Sequence, residues 1–388
     1  MACIVAGRLY EFDMAHWVDL EMANIGYSLA SGHGFASPWG GYTGPTAWTA
    51  PVYPWVVSLA FRLFGVYSDG AAFAMLTFNS IFSALTCWTI YRIARRVFNP
   101  KVAAWSGWAW ALFPYAIYWP VIWIWETSLS AFLLSLLFML TLEMEGESRL
   151  WLWSGYGALW GIAALTGTSL LAWLPFSGCW LAWQLHRAGK RFVLPVALSA
   201  LAFWGVITPW LMRNYVAFDK LIFIRGDFGS ELRTGNNPMA HGTFVLEYRA
   251  GSNPVLTQQY KRMGEVAWVA EQGRLAKQWI VENPGRFLLL SCRRFFYFWF
   301  RLPERRILPQ LDPFFLFATL LPFGGLLLAT RRRIHGVFLF VTLLASYPLA
   351  YYITFATPRY RHAIEPELVI LAVWLLAAER KPEKAITA

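Results

Sequence analysis

The sequence predicts an all-α integral membrane protein, a polytopic helical bundle with extracytoplasmic loops. Three observations carry this reading. Of its 388 residues, 57% are apolar and the mean hydropathy is +0.43, whereas soluble domains average about 45–50% apolar residues. The runs 70–91, 102–125, 150–185, 192–212 and 336–358 contain no Asp, Glu, Lys or Arg, and roughly 18 such residues suffice for a membrane-spanning helix. The basic residues sit as short clusters between these runs, which is how topology is encoded. They form no single basic face or tail, so the net charge of +11 does not point to nucleic acid.

Residues 1–10 are apolar but supply only about half a span, and the expectation is a first helix cut short by a truncated gene model. Residues 11–69 read as a first outer loop, with acids at Asp13, Asp19 and Glu21 beside His16. The apolar stretch 51–66 contains Arg62 and two prolines and reads as an interfacial helix. Spans follow at 70–92, 103–122, 126–143, 150–167, 168–185 and 192–212. The run 150–185 is divided because Gly167 and Pro175 interrupt it. A long segment, 213–311, comes next: Gly- and Asn-rich turns over 225–244, one amphipathic helix over 255–282 closed by Asn283-Pro284-Gly285, and an interfacial stretch over 285–300. Spans at 312–330, 335–354 and 361–379 complete the chain.

Alternation of these spans places every strong basic cluster on one side: Arg92/Arg95/Arg96/Lys101, Arg187/Lys190/Arg191, Arg331–Arg333 and Arg380/Lys381/Lys384. By the positive-inside rule that side is cytoplasmic, so 11–69 and 213–311 are expected outside. The chain divides into 1–69, a partial helix and first loop; 70–212, a transmembrane bundle; 213–311, a long outer loop with helical segments; and 312–388, the final helices and a cytoplasmic tail. The four cysteines (Cys3, Cys87, Cys179, Cys292) have no metal-like spacing and read as small apolar filler. The Arg225-Gly226-Asp227 triplet reads as a chance match.

The ionisable groups that matter are those at the expected outer ends of spans, where charges at a membrane boundary are functional hypotheses by default. Glu126 opens one span, Arg213 closes another, and Arg359, Arg361, His362, Glu365 and Glu367 open the last. Asp19 and Glu21 are the candidate bases, since a carboxylate within hydrogen-bond reach can take a proton from an acceptor. Surface charge on an amphipathic helix explains them equally well. In Pro358-Arg359-Tyr360-Arg361-His362, two arginines stand near a helix start; guanidinium forks match phosphate oxygens and helix N-termini favour anions. Lipid-headgroup anchoring is the competing explanation.

The order of DLEMANIGYSLASGHGF (19–35), GPTAWTAPVYPWVVSLAFRLFG (44–65), LFPYAIYWPVIWIWET (112–127), FGSELRTGNNP (228–238) and PRYRHAIEPELVIL (358–371) resembles the bacterial GT-C membrane glycosyltransferases, relatives of protein O-mannosyltransferases and aminoarabinose lipid A transferases. The resemblance implies a GT-C-like bundle in the bacterial cytoplasmic (inner) membrane, working on its outer, periplasmic side. It implies inverting transfer of a hexose or pentose from a polyprenyl-phosphate carrier to a lipid, glycan or protein acceptor. The catalytic base then maps onto Asp19 or Glu21, and Arg359 and Arg361 map near the donor phosphate, with His362 and Glu126 as further substrate contacts. The usual acidic doublet is interrupted here by Leu20. No cofactor or metal ligand set is indicated, and metal dependence stays open. A carrier flippase or transporter, or a non-catalytic membrane assembly subunit, are the alternatives.

Overall fold

The computed structural model describes residues 4–5, 7–12, 17, 20–300 and 313–378. Among these the regular elements are all helical, and β pairing is limited to an isolated bridge between Ala36 and Pro45. The chain opens with α1 (Glu21–Ala30), followed by a loop that returns through Gly32 and Gly34, and then α2 (Val52–Phe64). These two helices pack closely because Gly26 has no side chain: a Cβ there would lie 2.6 Å from the Val57 side chain.

Next comes α3 (Asp69–Val97), whose first turn is capped by the Ser68 hydroxyl, which accepts from the Ala71 amide at 3.1 Å. The expected span 103–122 is two helices, α4 (Pro100–Ala111) and α5 (Pro114–Ile122). Pro114 has no amide proton to continue α4 and disfavours helical geometry before it. Helix α6 (Thr127–Glu143) and α7 (Leu150–Thr166) follow. At Gly167 the chain leaves α7 for a 3₁₀ segment, Thr168–Trp173, and then α8 (Leu174–Arg187), so the division expected within 150–185 is present. Helix α9 (Val193–Phe218) lies across α7, and the seam is made of small residues. A Cβ on Gly157 would lie 1.9 Å from the Ser199 carbonyl oxygen, and one on Gly161 would lie 2.7 Å from Val206. Such small-residue seams let helix backbones approach in lipid, where packing rather than hydrophobicity drives association.

The segment 219–300 is more helical than expected. Instead of turns alone, 225–244 holds α10 (Phe228–Gly235). The single helix expected over 255–282 is α11 (Pro254–Met263) and α12 (Glu265–Glu282), separated by Gly264 at φ 74°. Helix α13 (Pro284–Phe300) carries Arg294 fully into the protein, where it donates to the carbonyls of Tyr352 and Ile353 and to Asn236 Oδ1. The last helices are α14 (Pro313–Arg331), α15 (Val337–Ser346), α16 (Leu349–Ile353), α17 (Pro358–Arg361) and α18 (Glu365–Ala377); Pro348 and Pro358 set two of the breaks.

Helices α3 and α9 are each long and apolar enough to cross a membrane, by length and composition. The outward side chains of α9 include Leu201, Trp204, Met212 and Val216, all exposed, a surface suited to lipid contact. The main core joins α3, α6, α14, α15 and α18 around buried Trp110, Trp160 and Trp173. A second, smaller cluster of Trp39, Trp48, Tyr260, Trp268 and Val269 fastens the 36–50 loop to α11 and α12.

The helix ends sort by charge. Arg92–Glu143 (2.6 Å), Arg96–Glu145 (3.5 Å), His335–Glu145 (2.9 Å) and Lys190 on the Gly146 carbonyl (2.7 Å) gather at one face. The segments 20–50 and 219–283 pack on each other, with the Ala47 amide donating to Glu265 at 2.6 Å and Arg225 donating to the Trp48 carbonyl at 3.2 Å.

Candidate active site at the ends of the membrane helices

Where the ends of several helices meet lies a cavity of about 360 Å³, within the range of small-molecule sites. Five separate segments build its wall: Trp125–Ser130, Gly167–Ala172, Phe223–Glu231, Tyr347–Thr354 and Arg359–Ala363. Each is a place where a helix stops or starts. That is how irregular backbone and charge come together here while the helix interiors stay apolar.

Two guanidinium groups face three carboxylates in this wall. Arg359 follows Pro358 in the one-turn α17; its guanidinium lies 4.5 Å from the Trp125 ring centroid and 5.9 Å from that of Trp123, a cation–π arrangement that holds a desolvated cation. Its field partners include Glu126 and Glu21. Arg225 is ion-paired with Asp227 and donates through Nε to the Trp48 carbonyl at 3.2 Å. Glu126 occupies the N-cap position of α6 without a side-chain capping bond, and its Oε2 is buried with no hydrogen-bond partner among the described residues. A buried carboxylate oxygen without a donor is costly.

Glu231 stands one helical turn from Asp227 on α10. Burial first, and the neighbouring Asp227 charge second, push the Glu231 carboxyl up to about 8, against the opposing pull of Arg225. Asp227 is also raised, chiefly by burial, although Arg225 works against the shift. With every group ionised, three carboxylates against two guanidinium groups leave the cavity net negative. Protonation of Glu231 alone restores balance and lets an anion enter.

Glu21 begins α1 at the edge of this cluster and is held by Arg249, whose Nε and Nη2 donate to Oε1 at 3.2 and 3.0 Å. Arg249 in turn lies 5.4 Å from the Trp39 ring. The charge of Glu21 reaches Asp227, Glu231 and Arg359. The supporting frame is equally specific. Glu265 accepts from the Ala47 amide and the Tyr260 hydroxyl, both at 2.6 Å, and from the Thr46 hydroxyl, while Arg213 donates to the Thr46 carbonyl at 2.6 Å. This pins the loop after α1 against α12.

Of the residues singled out in the sequence, Glu126 and Arg359 line the cavity, and Glu21 stands near enough for its charge to be felt there. Arg361 and His362 do not, which corrects their expected place. Arg361 is 1% exposed and donates to the Trp299 carbonyl at 3.0 Å and the Thr319 hydroxyl at 2.7 Å. His362 is wholly buried, 2.6 Å from Glu365 through Nδ1 and stacked on Trp110. Asp19, with Asp13 and His16, lies outside the described residues. Sequence reasoning missed Arg225, Asp227, Glu231 and Arg249. The available signal was Glu231 four residues after Asp227, the last residue of a triplet set aside as chance. Among the described residues, no three His, Cys, Asp or Glu side chains are grouped to hold a metal ion.

The fold and this face define a class: the chain has the architecture of the GT-C membrane glycosyltransferases. Residues 48–212 match the profile of the dolichyl-phosphate-mannose-protein mannosyltransferase family. The crystal structures of ArnT from Cupriavidus metallidurans, in the apo state and bound to undecaprenyl phosphate, superpose with TM-score 0.52 at 15% identity, covering 97% of this chain and 59% of that one. The Archaeoglobus fulgidus oligosaccharyltransferase AglB, in complex with an inhibitory peptide and a dolichol-phosphate, aligns with TM-score 0.50 at 14% identity over 92% of this chain and 45% of its own. This chain thus spans well under two thirds of the length of these proteins. No curated protein sequence matches it.

Proposed function

We propose that this protein is an inverting glycosyltransferase that moves a sugar from a polyprenyl-phosphate carrier to a nucleophilic acceptor at the outer face of the bacterial cytoplasmic membrane. The observation that carries the reading is the convergence of Arg359, Arg225, Glu126, Asp227 and Glu231 in one cavity at the ends of membrane helices. There a lipid tail can stay in the bilayer while its phosphate enters a polar site. Crystal structures of similar fold hold undecaprenyl phosphate or a dolichol-phosphate, which supports the same donor chemistry here.

Arg359 and Arg225 bind the phosphate, and their charge stabilises it as it leaves. The acceptor hydroxyl or amine attacks the anomeric carbon from the side opposite the phosphate. The carbon–oxygen bond to phosphate breaks with its electron pair going to that oxygen, and the configuration inverts. The acceptor proton passes to Glu21, which Arg249 orients. Glu126 accepts from a sugar hydroxyl through its unpartnered oxygen. Glu231, protonated below about pH 8, limits repulsion of the phosphate.

The test is transfer from radiolabelled polyprenyl-phosphate sugars by purified protein in lipid nanodiscs, with donor binding measured separately. Glu21→Gln should lower transfer by about 10²–10⁴-fold, the usual cost of losing a general base, with donor affinity retained. Full transfer by Glu21→Gln moves the base to another carboxylate. Absence of transfer with every polyprenyl-phosphate sugar, in protein that binds none of them, removes the reading.

A further inference from the structure

Apart from the cavity described above, the loop after α1 encloses a second pocket of about 460 Å³. Three tyrosines stand around it. Tyr27 and Tyr67 have ring centroids 5.5 Å apart, and Tyr42 is 74% exposed with its face open to solvent. Polar groups from α1 and the loop complete the wall, among them Ser28 and His33. Ser28 is 4% exposed, and its hydroxyl has no hydrogen-bond partner among the described residues. A buried hydroxyl without a partner costs stability unless something else satisfies it. Two wall residues, Ser37 (φ 61°) and Tyr67 (φ 53°), also hold left-handed backbone without being glycine, a strain that collects at ligand sites.

Open aromatic faces interleaved with hydroxyl, amide and imidazole groups, and without a carboxylate or cation in the wall, suit a neutral, hydroxyl-rich ring. We propose that this pocket binds a saccharide unit of the acceptor, so that the acceptor is a glycan or glycolipid. The pocket's placement supports this: Ser28 lies seven residues after Glu21 on the same face of α1, a rise of roughly 10 Å. An oligosaccharide spans that distance and a single sugar does not. The assignment to the acceptor rests on the transferase reading; the binding of sugar by the pocket does not.

The experiment is saturation-transfer NMR on the full chain in nanodiscs, titrating free maltotriose, cellotriose and chitotriose. At least one should bind, and Ser28→Ala and Tyr42→Ala should each weaken it about tenfold, the scale of one lost hydrogen bond or ring contact. Ser28→Ala should keep or raise the melting temperature, since it deletes an unsatisfied group, and Tyr42 is too exposed to matter for folding. No binding by any of the three sugars, or wild-type affinity retained in both variants, overturns the proposal. So does a Ser/Thr-rich hexapeptide that binds with the Ser28 dependence while the sugars do not, which reassigns the pocket to a peptide. Failure of sugar transfer with pocket binding intact sinks the transferase reading and spares the pocket.

Discussion

Arg359 and Arg361 illustrate how sharply function divides between near neighbours. Two residues along a helix turn a side chain by about 200°, so one guanidinium meets the cavity and the other the packed interior. Arg359→Ala should weaken polyprenyl-phosphate binding by about 10–100-fold, the value of one charged hydrogen-bonding partner, with melting temperature little changed. Arg361→Ala should do the reverse, costing about 3 kcal/mol or more because it strands the Thr319 hydroxyl, two carbonyls and Glu365 without their cation. Thermal unfolding beside donor titration separates the two. Glu231 supplies a pH prediction. Its folded carboxyl titrates near 8, above the ordinary 4.5, so the folded chain keeps a proton that the unfolded chain releases. Its contribution to stability is therefore complete below about pH 4.5 and is lost as pH rises through 8. Donor affinity should fall over the upper part of the same window, as the carboxylate forms beside the phosphate. Glu231→Gln should flatten both profiles; a wild-type affinity that stays constant from pH 6 to 9 contradicts this role.

At the scale of elements, prolines and glycines decide where helices stop and how closely they meet. The cavity exists because α6, α10 and α17 begin where other helices end. Gly235, at the end of α10, sits so close to Thr354 that a Cβ would lie 1.8 Å from its carbonyl oxygen. Asn236 and Arg294 fasten the same contact through the Ile353 carbonyl. Gly235→Ala should therefore displace α10, which carries Glu231, and lower transfer more than it lowers stability. The α7–α9 seam behaves differently. Gly157→Val should cost about 2 kcal/mol or more through overpacking, read as a lower melting temperature in detergent, because the Ser199 backbone cannot yield. Such breaks were legible in advance where Pro or Gly interrupted a long apolar run, as at Gly167. Within the polar segment 225–244 no hydrophobic period announced α10, and its eight residues carry their signal in two carboxylates one turn apart.

At the scale of the whole molecule, alternation of spans predicts two faces, one of basic clusters and one of cavity, pocket and long loop. In a background with the four native cysteines replaced by serine, Gln258→Cys should react with an impermeant maleimide from outside intact cells. Lys190→Cys should react only after permeabilisation. Gln258 on α11 and Lys190 after α8 are both exposed, so labelling of both from one side refutes the expected arrangement.

The sequence by itself determined the class of this protein, because 57% apolar composition and uncharged runs leave a helical membrane bundle as the outcome. It also marked Glu126 and Arg359 as charges at helix ends and Glu21 as a candidate base in the first polar segment. Only the tertiary structure decided which boundary charges meet. Glu21 and Arg249 pair across 228 residues of chain, and Arg225, Asp227 and Glu231 enter the cavity from a loop with no apolar period to place it. Local spacing fixes which face of one helix a residue occupies, whereas convergence depends on how separate helices pack. Here that packing is set by glycine seams and buried arginines, whose partners lie far away in the sequence.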